Sequence, residues 1–357
     1  MEILKKRINS VQAKLKPSQS ALITDETSIF YFTGFPHSEG YLFITADSSF
    51  LLVDFRYIEA AENAVKTSDV VIFSNPFDKL NDLIAANNIE EVCLENDKVT
   101  LSAFKAMKDA IKATLIDSSL LSDTIGELRI IKSDDEILKL KKAQDIAEKA
   151  YLKVLEMVKP GVTEHEIALE LEYLMKKNGA EKIAFDLITV TGKKTSLPHG
   201  VPSDVEVKEG DFITFDIGAV YEGYHSDMTR TVVVGKASDE QKKIYDIVLK
   251  AHLEGLKAVK AGVNAFDVDK VCRDIITEAG YGEYFGHGTG HGVGLEIHEE
   301  PRVSPKGNTI LKPGMIITVE PGIYLPDKFG VRIEDTVLVT EEGYETFAHI
   351  PKDLIII

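Results

Sequence analysis

Two textures of apolar and polar positions divide the chain. In the first, short apolar runs read as strands at Ala21–Thr24, Tyr41–Thr45, Phe50–Val53, Val70–Phe73 and Val92–Leu94. Between them, apolar residues recur at helical spacing over Tyr57–Val65, Phe77–Ala86 and Leu101–Ile111. Alternating strands and helices predict a small α/β domain over residues 1–125. No catalytic motif falls inside it.

The second texture, over residues 126–357, is dominated by longer helices. Ile137, Leu140, Ala143, Ala147, Ala150, Val154 and Met157 mark one amphipathic face, and Pro160-Gly161 ends it. Thr163 with Glu166 then forms a capping box for a helix running to Gly179. Ser238 with Gln241 caps a third helix ending near Gly262, and a fourth ends at Gly280. The sequence also repeats itself. Val158-Lys-Pro-Gly-Val162 returns as Val259-Lys-Ala-Gly-Val263, and residues 207–218 match residues 311–322 at an offset of 104, placing Asp216 on Glu320. Each matched segment reads as a strand, with Thr214 beside Asp216 and Thr318 beside Glu320 on one face. A glycine-containing turn and a second acid follow, Asp227 in one copy and Glu334 in the other. The expected class is α+β, with two helix–helix–hairpin halves related by a pseudo-twofold axis and both hairpins in one central sheet.

Charge narrows the function. A formal net charge of -17 disfavours a phosphate-backbone partner, because an acidic surface repels a polyanion. Cys93 and Cys272 lie in apolar runs, which suits small core residues better than a disulfide framework. No signal-peptide core and no apolar run of the ~20 residues needed to cross a membrane are found. The expectation is a cytoplasmic protein without a membrane or nucleic-acid partner.

The repeat brings Asp216 and Asp227 opposite Glu320 and Glu334. Four carboxylates on a buried sheet cannot all stay ionised without cations, and two divalent ions cancel their charge. An imidazole would complete such a site. Residues 285–301 supply His287, His291 and His298 in a glycine-dense segment that lets backbone and rings crowd together. His165 and His252, each alone on a helix, read as surface or packed residues. There is no phosphate loop and no nucleophile elbow.

Six ordered segments carry a resemblance: Phe215-Asp-Ile-Gly, Ser226-Asp-Met-Thr-Arg, Gly290-His-Gly-Val-Gly, His298-Glu-Glu-Pro, Thr318-Val-Glu-Pro-Gly and Arg332-Ile-Glu-Asp-Thr. Together they resemble the prolidase and aminopeptidase P branch of the pita-bread metallopeptidases. Tyr31-Phe-Thr-Gly-Phe and Asp54-Phe-Arg-Tyr are similar to that branch's creatinase-type N-terminal domain. The resemblance implies a pita-bread catalytic domain holding two divalent ions, manganese or cobalt before zinc or iron. Asp216 would bind one ion and Asp227 both, His291 and Glu320 the other, and Glu334 would bridge. His199, His287 and His298 fall on non-ligand active-site histidines, and Arg332 on a partner that orients a ligand. The implied reaction is hydrolysis of the bond between an N-terminal residue and a following proline, by a hydroxide shared between ions about 3.5–4 Å apart. Glu320 would shuttle the proton, while His298 and His199 hold the substrate carbonyl.

Three features qualify this reading. Arg302 either pairs with the carboxylate of a dipeptide substrate or is a surface charge. Lys193 and Lys194 stand where relatives tend to carry Asn and Ala, which bears on how the substrate's N-terminal side is read. His37 and Glu39 either reach a neighbouring subunit's site in a homodimer or form a solvated turn. The same scaffold also serves methionine aminopeptidase, a metal-free creatinase-like hydrolase and a non-peptidase binding protein, which are the alternative readings of this sequence.

Overall fold

A computed structural model describes residues 1–36 and 39–357, so the expectation for His37 lies outside the described residues. The chain forms two compact units, Met1–Arg129 and Ile130–Ile357. In the first, the elements run α1 (Glu2–Gln12), β1 (Gln19–Ile23), α2 (Glu26–Thr33), β2 (Tyr41–Thr45), β3 (Ser49–Val53), α3 (Ile58–Ala64), β4 (Asp69–Ile72), α4 (Pro76–Ala86), β5 (Glu91–Leu94), α5 (Leu101–Ala110) and β6 (Thr114–Ile116), with α6 (Leu120–Ile130) following. The six strands make one mixed sheet in the order β4-β3-β2-β1-β5-β6. Asn75 and Thr100 cap α4 and α5 through their side chains, which fixes where these helices begin. Leu22, Phe43, Leu52, Val92 and Leu94 form the sheet's share of the core under α4 and α5.

The second unit begins with α7 (Asp134–Val154) and α8 (Glu164–Lys177), then β7 (Lys182–Ile183), β8 (Ile188–Thr191), β9 (Phe212–Ile217), β10 (Ala219–Tyr221), β11 (Tyr224–His225) and β12 (Met228–Val233). The second half repeats the plan with α9 (Asp239–Ala258), α10 (Ala265–Glu278), β13 (Gly290–Gly292), β14 (Glu299–Val303), β15 (Ile316–Val319), β16 (Gly322–Leu325), β17 (Phe329–Arg332), β18 (Asp335–Val339) and β19 (Tyr344–Thr346). Capping boxes at Thr163–Glu166 and Ser238–Gln241 open α8 and α9 as their sequences require. Gly179 and Gly280, at φ 104° and 88°, occupy the left-handed conformation just past α8 and α10.

In each half a helix pair covers one face of a hairpin. Ile213, Phe215 and Ile217 of β9 pack on Tyr151, Ile167 and Leu171, while Ile317 and Val319 of β15 pack on Val248, Val268 and Cys272. Each fully buried side chain of this kind contributes about 1.5–3 kcal/mol. Because strand residues alternate, Thr214, Asp216 and Thr318 point to the opposite face. In one respect the expectation is corrected. The hairpins lie in separate sheets, β12-β9-β8 and β14-β13-β15-β18-β19, rather than in one. Their edges are joined by Glu334 N donating to Thr229 O at 3.1 Å and Arg332 N donating to Thr231 Oγ1 at 3.3 Å. A threonine hydroxyl stands here where a continuous ladder needs a carbonyl, so the sheets meet without merging.

The helix pair of the second half crosses at Gly255, where a Cβ would strike Cys272 Sγ and crowd Val319. Gly255→Ala is expected to destabilise the protein by about 1–3 kcal/mol through overpacking. Urea unfolding of the metal-loaded protein measures this, and an unchanged midpoint would contradict it.

Candidate metal centre

The acids of the repeat emerge where the two hairpins face each other. Asp216 lies on β9 opposite Thr229 of β12, and Asp227 sits in the turn just before β12. Glu320 follows β15 directly and Glu334 precedes β18. His291 occupies the middle of β13, flanked by glycines that the packing requires. A Cβ at Gly290 would strike the carbonyl of Thr318, and one at Gly292 the carbonyl of Glu300.

Ligand-type atoms of Asp227, His291 and Glu334 lie within 4.8 Å of one another, and all three residues are nine-tenths buried or more. His291 Nε2 is 3.6 Å from Asp227 Oδ2 and 3.5 Å from Glu320 Oε1. Its Nδ1 lies 2.9 Å from the Gly292 carbonyl, which only accepts, so the ring proton sits on Nδ1 and the Nε2 lone pair faces the acids. Burial pushes this imidazole down to about 4, keeping it neutral. Asp216 places Oδ2 2.5 Å from Arg332 Nη2, whereas its buried Oδ1 has no hydrogen-bond partner.

The electrostatics match a cation site. Burial, then repulsion from Glu334, Asp216 and Glu320, raises the Asp227 carboxyl well above its ordinary range. Burial, then Glu320 and Asp216, does the same to Glu334. Burial lifts Glu320 to about 8, with Arg332 opposing and Asp216 adding to the rise. Two like charges about 4 Å apart repel by roughly 4 kcal/mol at an effective dielectric near 20, more than any single hydrogen bond here returns. Asp227, Glu320 and Glu334 therefore hold protons more readily when no cation is present and release them to one. An orphaned buried carboxylate oxygen, clustered acids and a neutral imidazole aimed inward together fit divalent metal ions.

Around the acids a second layer fixes their geometry. Arg332 donates to Asp216, to Tyr324 Oη at 2.8 Å, to Thr229 Oγ1 at 3.1 Å and to Pro198 O at 3.2 Å. Thr229 Oγ1 in turn donates to Glu334 Oε2 at 2.7 Å. His287 gives its Nδ1 proton to Gly288 O at 2.8 Å and accepts from Tyr324 Oη at 2.8 Å. His287 is thus wired to Arg332 through a phenol, and burial holds its ring at about 4. His298 stacks edge-on against His291 with centroids 4.5 Å apart. His199, on the exposed loop after β8, lies close enough to His287 and His298 to disfavour their protonation. Arg302 exerts the same influence on His291 and His298, while its exposed side chain has Glu300 at 3.7 Å.

Beneath Glu334, Asp335 forms a buried charge knot. Burial works to raise its carboxyl, but Arg230, His252 and Lys352 more than offset this and hold it well below the usual range. Arg230 also donates to Glu334 O at 2.6 Å and Ile350 O at 3.2 Å, tying the last residues of the chain to the strand that begins after Glu334. His252 is packed between Val319 O and Asp335, as its lone place on a helix suggested, and His165 is an exposed partner of Asp204. Glu39 pairs with Arg56 at 2.6 Å on the surface of the first unit.

Sequence reasoning gathered the acids and histidines but missed Tyr324, Thr229 and the Asp269–Arg273 pair. Asp269 accepts from Thr289 N at 3.0 Å and holds Arg273, which donates to Phe285 O and His287 O and so braces the glycine-rich segment. Their spacing of four on a helix was the available signal. Tyr324 had none, since it reads as one more apolar strand residue. Arg332→Lys is expected to weaken metal affinity about 10- to 100-fold, because a compact ammonium cannot span Asp216, Tyr324, Thr229 and Pro198 at once. Metal titration of the variant checks this, and wild-type affinity would contradict it.

This constellation, on a twofold pair of helix-backed hairpins, defines a metal-dependent hydrolase. Metallopeptidase family M24 matches residues 138–341, and the Creatinase/Prolidase N-terminal domain matches residues 7–131. The chain belongs to metallopeptidase family M24. It is 39% identical to the Xaa-Pro dipeptidase of Pyrococcus horikoshii, over 99% of this chain and 100% of that protein. The solved structure of an Xaa-Pro dipeptidase from Bacillus anthracis superposes with a TM-score of 0.95 at 42% identity, covering 100% of this chain and 99% of that one. An X-Pro aminopeptidase from Thermotoga maritima gives 0.89 at 38% identity, covering 97% and 100%. The pita-bread catalytic domain and the creatinase-type N-terminal domain expected from sequence are both present. Among the described residues, no helix is long and apolar enough to cross a membrane.

Proposed function

We propose that this protein hydrolyses the peptide bond between an N-terminal residue and a following proline, with Asp216, Asp227, His291, Glu320 and Glu334 holding two divalent metal ions. The buried convergence of Asp227, His291 and Glu334 carries this reading. The names of relatives near 40% identity over the full chain support the choice of substrate. An oxygen-rich set with one imidazole suits manganese or cobalt, with geometry rather than affinity order deciding between them. Such ions, when bound, supply Lewis acidity that lowers the pKa of water and polarises a carbonyl.

The chain's own residues do the rest. Glu320 takes the proton from the attacking water and passes it to the leaving nitrogen. That transfer is needed because an amide nitrogen leaves as an amine only once it is protonated; before proline this nitrogen is tertiary and carries no hydrogen of its own. His298 and His199 hold the carbonyl and steady the oxyanion that develops on it. Arg332 keeps Asp216 in place, and the Tyr324–His287 pair keeps Arg332 in place.

We assign Arg302, exposed on β14 four residues after His298, to the carboxylate of a dipeptide substrate. Arg302→Ala is expected to raise KM for an Xaa-Pro dipeptide about 10-fold or more, the worth of one charge-assisted contact, while sparing longer Xaa-Pro peptides. Unchanged dipeptide turnover would remove the role. The function itself is tested by assaying Ala-Pro, a length series of Xaa-Pro peptides and Met-Ala-Ser with manganese- and cobalt-loaded protein. Turnover confined to Xaa-Pro substrates supports the proposal. A metal-loaded protein inert toward all of them, or one cleaving only Met-Ala-Ser, overturns it.

A further inference from the structure

We propose that Glu164 and Lys194 form a buried clamp that positions His199 toward the substrate; the inference rests on the assignment of His199 to the substrate carbonyl made above. Glu164 is the first residue of α8, and its side chain is only 1% exposed. One carboxylate oxygen accepts from Thr191 N at 2.8 Å, where the loop after β8 begins. The other accepts from Ser203 N at 2.9 Å and Ser203 Oγ at 2.8 Å, where the loop ends. A single carboxylate thus closes both ends of the segment that carries His199.

Lys194 completes the closure from inside the loop. Its Nζ lies 2.5 Å from Glu164 Oε2, 2.7 Å from Val201 O and 2.7 Å from Ser203 Oγ. An ammonium has three protons, and here each has an acceptor within the protein. Lys194 is therefore committed to the loop and is not free to read a substrate. Neighbouring Lys193 is exposed. On its other side the loop is held by Arg332, which donates to Pro198 O beside His199, and by Thr195 Oγ1, which accepts from Gly330 N at 2.8 Å. Residue 199 is pinned between the clamp and the group that orients Asp216. Removing the ammonium leaves the Glu164 carboxylate buried without its counter-charge, which favours a rearranged loop over the native one.

The test compares Lys194→Met, His199→Ala and the double variant on Ala-Pro with metal-loaded protein. His199→Ala is expected to lower kcat/KM on the order of 10²-fold, as for loss of one oxyanion donor. Lys194→Met is expected to lower it about 10- to 100-fold through misplacement alone, with metal content unchanged. The double variant is expected to be no worse than His199→Ala, because a clamp has nothing left to position. Ser203→Ala, which spares the ion pair, gives a smaller loss with the same non-additivity and serves if Lys194→Met does not fold. A wild-type kcat/KM in Lys194→Met, or losses that multiply in the double variant, overturns the clamp. If His199→Ala alone has no effect, the assignment of His199 fails and the clamp falls with it.

Discussion

Glu334→Gln is expected to lower kcat/KM by at least about 10³-fold, the loss of roughly 4 kcal/mol of charge stabilisation that a bound metal provides. The substitution keeps the shape of the side chain and its acceptor for Thr229 Oγ1, so packing around β18 is preserved. What it removes is one negative charge from a buried cluster whose other members are Asp227, Glu320 and Asp216. An amide is a poor ligand for a hard cation and cannot bridge two of them. A second readout separates this outcome from misfolding. Without metal, the Gln variant is expected to be at least as stable as the wild type, because a buried carboxyl that must stay protonated in the fold is replaced by a group that is always neutral. A variant that is folded, metal-loaded and active would refute the bridging role.

Stripped of metal, the wild-type protein is expected to lose stability as pH rises from about 6.5 to 8. In the unfolded chain Asp227, Glu320 and Glu334 titrate near 4. In the metal-free fold all three hold their protons to higher pH, Glu320 to about 8, chiefly because burial penalises the charged form. The fold then binds more protons than the unfolded chain, and stability falls at up to about 1.4 kcal/mol per pH unit for each such group. Stability from this source is complete below the unfolded value and is lost as pH passes the folded one. His287 and His291 act in the opposite sense, but only between about 4 and 6.5, because both stay neutral in the fold down to about 4. Above that window the carboxylates act alone. Buried Glu95 of the first unit, lifted to about 7, adds a slope that does not depend on metal. Urea unfolding in chelator at pH 6.5 and pH 8 measures the total slope, and saturating manganese should remove the share of the acid cluster by binding the folded state. A stability that is flat or rising over this range in chelator would contradict the charge cluster.

Much of the catalytic unit was legible because its signals are local. Capping boxes at Thr163 and Ser238, terminal glycines at Gly179 and Gly280, and strand alternation around Asp216 and Glu320 each act within a few residues. The repeat then turned two local readings into one site, since symmetry brings equivalent acids together. Less local features were hidden. Helix α1 buries Arg7, whose guanidinium lies 3.8 Å from the ring centre of Tyr31, so its inner face does not look apolar in sequence. Helix α2 buries Ile29, Tyr31, Phe32 and Thr33, a β-branched and aromatic run that favours a strand until tertiary packing decides. The Glu164–Lys194 pair spans thirty residues and Arg332 reaches Pro198 across 134, distances at which no pattern in one chain announces a contact. The separation of the two hairpins into different sheets depends on where a threonine replaces a ladder carbonyl, which periodicity alone does not encode.

In the proposed centre, five side chains from two duplicated hairpins and the strand between them hold a pair of divalent ions. Metal-free wild-type protein and its Asp227→Asn variant, titrated with manganese and then analysed for metal per chain after dialysis, test it most directly. Two ions retained per wild-type chain, and neither retained tightly once Asp227 is neutralised, is the expected result. A wild-type chain that keeps fewer than two, or a variant that keeps both, would contradict it.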